Sequence, residues 1–560
     1  MGDEFFHSLA TDDGLIVVRN ETGDYCYYTL DGPTQIIAHN KHERSLDEQR
    51  LVEEMGENIR FFDVQTTVMS QKIVAHVEQA IQASQVPNVG KVRVPIIVVE
   101  FADKKVSNPI DAFSNHYNQG ANSARQYFID QSNGKFEPQF DVFGVYELSE
   151  NREAYGGNNL NGSDKGVAKM VAEACDLTKQ NSDINWANYD NNGDGICDVV
   201  MVVFAGVGEA QAAATVPNAI WPCQWTLADA AAMGDGPGMK DYDGITVNKF
   251  AVFNEVQGRF DTNTVLDGIG TFCHEFSHCL GLPDFYMTTY GAEYGMGTWS
   301  LMDYGCYNNN GNTPVGYNAY EKSFFGWIEL VTPQPDTEYR LPVFNGKTIT
   351  SDWAMKVESP LNANEYYVIE NRRRQGWDSY ISDEGVMITH VTYVPARWKE
   401  NSVNNYPVKL MTIMPADNVA SRTTENADLF GKEYHEFTDD TNPAATLNLG
   451  ANIENNPSGN RGFLGKPITD IYLNDDGSAT LRFCDKSGAK LAIDAKKLDF
   501  GNVYYDEEST QTITLKGENI TSATTLSISG DDAHFKLSTN TLSADEVNGG
   551  VSVDVTFSPH

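Results

Sequence analysis

Hydrophobic and polar positions divide the chain into regions of different texture. Val92–Phe101 is largely apolar and β-branched, which is typical of a central strand buried on both faces. The pattern around it predicts helices near 111–132 and 164–180, and strands near 138–147 and 198–206. Helices and strands therefore alternate over the first part of the chain, as expected of a domain that mixes both.

The residues on either side have other patterns. Leu15–Val18 and Tyr25–Leu30 are short β-like runs between turn residues, and a polar helical stretch is predicted over 63–84. The C-terminal part has many short strands with Gly, Asn and Asp turns, and Val551–Phe557 alternates apolar with polar side chains. We predict four segments, the last two rich in β-structure. They are residues 1–87, 88–335, 336–487 and 488–560.

Composition and charge exclude several kinds of partner. The 560 residues include 40 Lys and Arg against 78 Asp and Glu, a formal net charge of −38 at pH 7. Nucleic acids and anionic membranes are bound by basic surfaces, so this charge argues against both. No apolar run reaches the roughly 18–20 residues of a membrane span, and the longest, Val199–Val207, has the length of a strand. Eight cysteines without a C-x-x-C pair are too sparse for a disulfide scaffold or a zinc knuckle.

The strongest chemical motif runs from His274 to Asp284 as His-Glu-Phe-Ser-His-Cys-Leu-Gly-Leu-Pro-Asp. On a helix His274 and His278 lie one turn apart, so both imidazoles can reach one tetrahedral Zn²⁺. Glu275 projects beside them, where it can act as general base for a water activated by the metal. Gly281 can end the helix in a left-handed cap, after which the chain turns so that Asp284 supplies a third ligand. Two imidazoles and one carboxylate leave a fourth position open, as in a catalytic site.

An ordinary amphipathic core helix is the alternative interpretation of this motif. A helical wheel places an apolar stripe within a sector of about 80° and both histidines roughly opposite to it. Histidines of a core would lie within the stripe. The stripe consists of Val265, Ile269, Phe272, Phe276 and Leu280. The wheel therefore favours metal binding.

A second motif follows 24 residues after His278, counted to the central methionine of Ser-Leu-Met-Asp-Tyr at residues 300–304. It resembles the Met-turn of the metzincins, in which a buried methionine underlies the metal. The resemblance implies a structural role for Met302 beneath the zinc. It also implies that Tyr304 donates a hydrogen bond to the oxyanion that develops on the scissile carbonyl.

Over most of residues 1–486 the sequence resembles the immune inhibitor A-like secreted bacterial metallopeptidases. The landmarks of the resemblance, besides the zinc motif, are Gly2–His7, Ser132–Phe136, Val207–Glu209, Ile220–Pro222, Asp284–Tyr286, Ser300–Tyr304, Tyr320–Lys322, Gly326–Trp327 and Ile369–Arg372. The resemblance implies an α+β zincin or metzincin-like catalytic domain over 88–335, followed by a β-sandwich over 336–487. It also implies that His274, His278 and Asp284 bind zinc and that Glu275 is the general base.

The third ligand stays open at this point, because many metzincins use a histidine where Asp284 stands. A distant glutamate, as in thermolysin-like enzymes, is the alternative. Glu293 and Glu321 are the candidates for it.

Residues 1–87 resemble the propeptide-like region of this family, and we hypothesise that they cover the active site in a latent zymogen. Thiolates bind Zn²⁺ well, so Cys26 is a candidate cap for the metal. A cysteine in a Tyr-rich strand is more often packed in a core, and we favour that interpretation.

Residues 190–198 read Asp-Asn-Asn-Gly-Asp-Gly-Ile-Cys-Asp, which matches a calcium loop. The predicted ligands are Asp190, Asn192, Asp194, Ile196 and Asp198. An EF-hand would have a bidentate glutamate at its twelfth position, where this chain has Met201, so the loop is a shorter one. The alternative is an Asx-stabilised turn without metal. Calcium in this loop would stabilise the catalytic domain and take no part in hydrolysis.

The sequence therefore predicts a secreted zinc-dependent endopeptidase acting on proteins or peptides. Residues 488–560 resemble immunoglobulin-like modules of secreted bacterial proteins, shortened from the roughly 100 residues of such a sandwich, which implies attachment at the cell surface. Localisation rests on the resemblance, since no signal-peptide pattern begins the chain. The alternative function is an inactive metallopeptidase fold that serves as a surface binding or adhesion protein. The intact Glu275 argues against that alternative.

Overall fold

The computed structural model describes most of the chain from residue 86 onwards and part of the segment before it. The described residues are 9–11, 15–19, 25–29, 32–45, 48–50, 52, 86–159, 163–288, 294–345, 352–360, 362–405, 408–448, 462–484, 490–495, 497–505, 507–518, 520–530 and 533–559. The helix predicted over 63–84 and the landmark Gly2–His7 lie outside these residues.

A four-stranded antiparallel sheet in the order β1-β2-β3-β4 forms the described N-terminal part. Its strands are β1 (Leu9–Ala10), β2 (Ile16–Arg19), β3 (Tyr25–Thr29) and β4 (Gly32–Ile37). Tyr27 is buried in this sheet, and its hydroxyl donates to Glu48 Oε1 at 2.8 Å. Cys26 is fully buried in the same strand, as expected of a packed core cysteine.

The central part of the chain, from residue 90 to residue 324, contains eight strands and seven α-helices among the described residues. The strands are β5 (Gly90–Glu100), β6 (Phe136–Glu147), β7 (Ile196–Cys197), β8 (Val200–Phe204), β9 (Cys223–Thr226), β10 (Lys240–Tyr242), β11 (Ile245–Val247) and β12 (Lys249–Asn254). The helices are α1 (Ile110–Asn118), α2 (Ala124–Gln131), α3 (Val167–Asn181), α4 (Glu209–Ala212), α5 (Leu227–Ala232), α6 (Ile269–Cys279) and α7 (Ala319–Phe324).

Five of these strands make the main sheet, in the order β6-β5-β8-β12-β9. The first four are parallel, and the edge strand β9 is antiparallel to β12. Side chains of β5 alternate between two cores, because successive residues of a strand point to opposite faces. Val94, Ile96 and Val98 pack in a cluster that includes α1, α2 and α6, whereas Ile97 and Val99 pack in a cluster with α3. The sheet thus lies between two helical layers, and α6 belongs to one of them.

The strand and helix predictions for this part are confirmed except at one point. The stretch predicted as one helix near 111–132 is two helices, α1 and α2, because the chain turns at Gly120 with φ +87°. Such a backbone conformation favours glycine. Ser123 then caps α2 by accepting a hydrogen bond from the Gln126 N–H at 3.2 Å.

The next part of the chain is rich in β-structure. Its elements are β13 (Thr337–Leu341), β14 (Met355–Glu358), β15 (Glu365–Arg372), β16 (Gly385–Thr392), α8 (Pro395–Lys399), β17 (Met411–Ile413), β18 (Thr446–Leu447), β19 (Gly462–Phe463), β20 (Ile468–Leu473) and β21 (Ala479–Phe483). They form antiparallel sheets in the orders β14-β15-β16-β17, β13-β21-β20 and β18-β19. One cluster of buried apolar side chains joins the first two of these sheets.

A buried ion-pair cluster ties this β-rich part to the segment just before α7. Arg372 is fully buried and pairs with Glu370 at 2.8 Å and Asp378 at 2.7 Å. Glu370 Oε2 accepts a hydrogen bond from the Ala319 N–H at 2.5 Å, and Asp378 Oδ1 accepts one from the Gly316 N–H at 3.0 Å. The landmark Ile369–Arg372 therefore has a structural role, because its charged groups hold the two parts of the chain together.

The last described part holds a four-stranded antiparallel sheet in the order β22-β23-β27-β25 and the pair β24-β26. Its elements are β22 (Lys490–Ile493), β23 (Ser509–Glu518), β24 (Thr524–Thr525), β25 (Phe535–Leu537), β26 (Thr541–Leu542), α9 (Ala544–Gly549) and β27 (Val551–Phe557). No helix among the described residues is long and apolar enough to cross a membrane.

Candidate active site

Helix α6 carries the two histidines of the motif and ends as its sequence predicts. Gly281 follows the helix with φ +107°, and the Leu282 N–H donates to the Ser277 carbonyl oxygen at 3.1 Å. The helix begins at Ile269, so Val265 lies outside it and is 54% exposed. The predicted apolar stripe was wrong at that one position. Its other four members are buried in the core beneath the sheet.

The structure brings His274, His278 and Asp284 together. The two Nε2 atoms are 3.1 Å apart, and Asp284 Oδ1 lies 3.2 Å from His274 Nε2 and 3.3 Å from His278 Nε2. Among the described residues this is the one group of three or more His, Cys, Asp or Glu side chains whose ligand atoms are close enough to hold a metal ion.

Backbone carbonyls fix the protonation of both imidazoles. His274 Nδ1 lies 2.8 Å from the Leu301 carbonyl oxygen, and His278 Nδ1 lies 2.7 Å from the Leu282 carbonyl oxygen. A carbonyl oxygen only accepts hydrogen bonds, so each Nδ1 carries the proton and each Nε2 presents a lone pair. Three lone-pair atoms therefore face one another across about 3 Å.

The two carboxylate oxygens of Asp284 have different surroundings. Its Oδ1 is buried without a hydrogen-bond donor, whereas Oδ2 accepts from Asn401 Nδ2 at 2.7 Å. A buried carboxylate oxygen without a donor costs free energy unless a cation neutralises it. The residues present therefore fit a metal ion bound by two imidazoles and one carboxylate.

Glu275 lies on the same face of α6 and is 6% exposed. Burial raises the pKa of its carboxyl, and the neighbouring Asp284 carboxylate raises it further. A carboxyl group beside the metal-binding atoms, with its pKa raised above its usual range, is suited to accept and release a proton.

The Met-turn lies directly against this group. Met302 is fully buried, and its carbonyl oxygen accepts a hydrogen bond from the Phe285 N–H at 2.8 Å. The Asp303 carboxylate accepts from the N–H groups of Met296, Gly297 and Tyr304 at 2.7–2.8 Å, which closes the turn. The turn also supplies the carbonyl that orients His274. Its sequence pattern thus marks a structure that positions the site.

Tyr304 follows the turn at the surface. Its ring is 42% exposed and lies beneath the Arg422 guanidinium, whose central carbon is 3.7 Å from the ring centroid. Its hydroxyl makes no hydrogen bond with the described residues.

Of the two glutamates considered as alternative third ligands, Glu321 lies among the described residues and is engaged away from the metal-binding atoms. Glu321 is buried at the start of α7, where it forms a capping box with Asn318 and accepts from Ser300 Oγ at 2.5 Å. Glu293 lies outside the described residues.

The predicted calcium loop is a tight turn stabilised by its own carboxylates. Asp190 accepts hydrogen bonds from the N–H groups of Gly193, Asp194 and Gly195 at 2.8–3.0 Å. Asp194 accepts from the Ile196 N–H at 2.9 Å. These bonds are those of Asx turns, so the arrangement is as compatible with the metal-free alternative as with a calcium loop.

Sequence reasoning missed Asn401, which lies 117 residues beyond Asp284 and binds it twice. No local pattern marks this asparagine, because its role depends on a contact between the β-rich part and the loop that follows α6. All eight cysteines lie among the described residues, and none of them is joined in a disulfide bond.

Comparison with known proteins finds similarity to metallopeptidases. Residues 101–328 match the family model of the immune inhibitor A peptidase M6 catalytic domain. This stretch of the chain is similar to a peptidase M6 catalytic domain. The resemblance inferred from the motifs is thereby confirmed, and the family of metallopeptidases implies a bound metal ion.

Two named relatives of the peptidase M6 domain illustrate the extent of the similarity. The pre-pro-metalloprotease PrtV of Vibrio cholerae serotype O1 is 30% identical over 222 residues, which are 36% of this chain and 23% of PrtV. Immune inhibitor A of Bacillus thuringiensis subsp. alesti is 28% identical over 295 residues, which are 44% of this chain and 42% of that protein. The matched stretches thus span less than half the length of these relatives.

Proposed function

We propose that this chain is a zinc-dependent endopeptidase in which Glu275 is the general base. The observation that carries the proposal is the set of three facing lone pairs on His274, His278 and Asp284, with Glu275 beside them on the same helix face. Two imidazole nitrogens and one carboxylate oxygen are a ligand set of catalytic zinc, since they leave a coordination position open.

Zinc bound there would act as a Lewis acid toward water and the scissile carbonyl. Glu275 would take a proton from the attacking water on its carboxylate and pass it to the leaving amine. Its burial supports this role, because a pKa raised toward the working pH improves both proton transfers.

Tyr304 is proposed to donate its hydroxyl to the oxyanion that forms on the scissile carbonyl. Its hydroxyl has no other partner among the described residues, and the Arg422 guanidinium packed on its ring limits the motion of the side chain. Met302 is proposed to act only as the support of the turn beneath the metal. The turn geometry described above is consistent with a metzincin-like domain.

The remaining parts of the proposal concern the other segments. We propose domains over 1–87, 88–335, 336–487 and 488–560, with the first acting as a propeptide and the last as a shortened immunoglobulin-like module at the cell surface. We propose secretion on the strength of the similarity to immune inhibitor A and PrtV.

The turn at residues 190–198 is proposed as a structural calcium site. A calcium titration should raise the melting temperature of the wild type and leave that of Asp194→Asn unchanged.

The test compares the full chain with Glu275→Gln, which keeps the size and most of the shape of the side chain. A protease site inserted after residue 87 allows the N-terminal segment to be removed from the folded protein. We expect wild type to cleave casein after this removal, with zinc present at one equivalent by elemental analysis. Glu275→Gln should bind one equivalent of zinc as well, and its kcat/KM should fall about 10²–10⁴-fold, the usual contribution of a general base.

Exposed Glu329→Gln is the matched control, because it removes the same charge at the surface. It should cleave like wild type. If zinc-loaded wild type leaves casein and mixed peptides intact while Glu275→Gln has the same fold, the inactive binding protein becomes the better description.

A further inference from the structure

A polar cavity of about 380 Å³ lies at the N-terminal end of α6. Its lining consists of Gln211, Gln257, Gly258, Asn263, Asp267, Thr271, Tyr307, Asn310 and Gly311. Its volume falls within the range of pockets that bind small ligands or single side chains. None of the motifs in the sequence indicated this cavity.

The cavity lies on the metal-binding face of α6. Thr271 is three residues before His274 and four before Glu275, so it shares their face of the helix. Four residues of helix rise about 6 Å, which is about the span of two consecutive residues in an extended peptide. When a substrate is bound at the metal, a side chain one or two residues from the scissile bond can therefore reach the cavity.

Two glycines let the wall of the cavity approach the helix. A Cβ on Gly270 would lie 1.8 Å from the Cys306 carbonyl oxygen, and one on Gly268 would lie 2.1 Å from the Gly311 carbonyl carbon. The segment from Cys306 to Gly311 therefore packs on the helix backbone itself. This contact sets Tyr307 and Asn310 across from Thr271.

Asp267 is the one charged residue in the lining, whose other polar side chains are amides, a threonine hydroxyl and a tyrosine hydroxyl. Its Oδ2 accepts hydrogen bonds from Asn254 Nδ2 at 3.0 Å and Thr271 Oγ1 at 3.3 Å. Burial raises the pKa of its carboxyl to about 6, against the hydrogen bonds that lower it. At pH 7.5 the cavity thus contains a largely buried negative charge that a cation would stabilise.

We propose that this cavity binds a side chain of the substrate next to the scissile bond and that Asp267 selects lysine or arginine there. The proposal rests on the proposed peptidase function and adds the class of substrate. An ammonium or guanidinium group can bond the carboxylate, and the surrounding amide oxygens can accept its remaining hydrogens. The net charge of −38 favours basic peptides in solution as well, but only the cavity confines the preference to one position.

The experiment digests a peptide library with the zinc-loaded, N-terminally released enzyme at pH 7.5 and maps the cleaved bonds by mass spectrometry. Lysine and arginine should be enriched at one position within two residues of the cleaved bond. Kinetics then compare two peptides that differ only there, one with lysine and one with glutamine. In Asp267→Asn the lysine-to-glutamine ratio of kcat/KM should fall about tenfold or more, since a hydrogen bond between charged groups is lost.

Two further variants distinguish a change in substrate preference from a defect in folding. Glu329→Gln removes one surface charge and should keep the wild-type ratio. Asn310→Asp adds a carboxylate to the lining at a residue with φ +54°, a conformation that Asp tolerates, and should raise the ratio.

The outcomes separate the two proposals. Cleavage without enrichment of basic residues at one position, or a ratio unchanged in both Asp267→Asn and Asn310→Asp, overturns the cavity proposal and leaves the peptidase intact. Enrichment of glutamine or asparagine instead would mean that the amide side chains of the lining, and not Asp267, select the substrate. That result also overturns the cavity proposal. Absence of any cleavage that depends on Glu275 overturns the peptidase proposal itself.

Discussion

The Asn401 side chain binds Asp284 through both of its polar atoms. Asn401 Oδ1 accepts from the Asp284 N–H at 2.6 Å, and Asn401 Nδ2 donates to Asp284 Oδ2 at 2.7 Å. Asn401 lies two residues after the β-rich part's short helix α8, so that part of the chain positions the carboxylate of the proposed metal site. The metal site and the β-rich part are therefore expected to depend on each other.

We expect Asn401→Ala to weaken zinc binding about 10–100-fold, because groups that orient metal ligands typically contribute this much. Competition with a chromogenic chelator measures the affinity. Asn405→Ala is the control, since Asn405 makes similar bonds to Thr288 N and Oγ1, four residues beyond the ligand. An affinity that falls equally in both variants would mean that the loop as a whole, and not the contact to Asp284, matters.

Gly270 is expected to tolerate no side chain. In Gly270→Ala the added Cβ would meet the Cys306 carbonyl oxygen at 1.8 Å, so the helix or the segment after the Met-turn must move. We expect a loss of about 3 kcal/mol or more in the free energy of unfolding, together with reduced activity. Gly549→Ala in α9 meets nothing within 4 Å and should change stability by less than about 1 kcal/mol. Urea unfolding of both variants makes the comparison, and equal stabilities would contradict the close packing.

The buried cluster around Arg372 should be necessary for folding. Arg372→Met leaves Glu370 and Asp378 buried without their cation, and removal of one member of such a cluster costs about 3–5 kcal/mol. The exposed pair of Arg340 with Asp476 is the control. Arg340→Met should cost about 0–1 kcal/mol, as exposed ion pairs do. Similar losses in the two variants would show that burial of the cluster is unimportant.

Stability should depend on pH through Asp428. Burial raises the pKa of this carboxyl to about 7 in the folded protein, although Trp299 and Tyr294 donate hydrogen bonds to it. Between the ordinary aspartate pKa near 4 and the folded value, the folded state keeps the proton that the unfolded state has lost. The contribution of Asp428 to stability therefore decreases as pH rises from about 4 to about 7.

Asp428→Asn lacks this titration, so its stability relative to wild type should increase over the same interval. Unfolding of both proteins in urea at pH 4.5, 6 and 8 measures the difference. A difference that stays constant with pH would show that the pKa of Asp428 is not raised in the folded protein.

The amino-acid sequence by itself determined those features that depend on neighbouring residues. The spacing of His274, Glu275 and His278 places all three on one helix face because the α-helical repeat is fixed, and Gly281 ends that helix because glycine adopts positive φ at low cost. The β-branched run around Val94 and Val98 indicated the buried central strand for a similarly local reason.

Only the tertiary structure decided the features that join distant residues. Asn401 reaches Asp284 across 117 positions, and Asp267 lines a cavity whose opposite wall follows the Met-turn. Neither residue has a local signal, since asparagine and aspartate occur in many turns and caps, and their partners are chosen by packing. The hydrophobic pattern also placed Val265 in the apolar stripe of α6. In the structure Val265 is exposed and lies before the helix, which begins at Ile269. Periodicity describes one element at a time, whereas the contacts that orient the ligands and shape the cavity exist only once the sheet, α6 and the β-rich part have packed together.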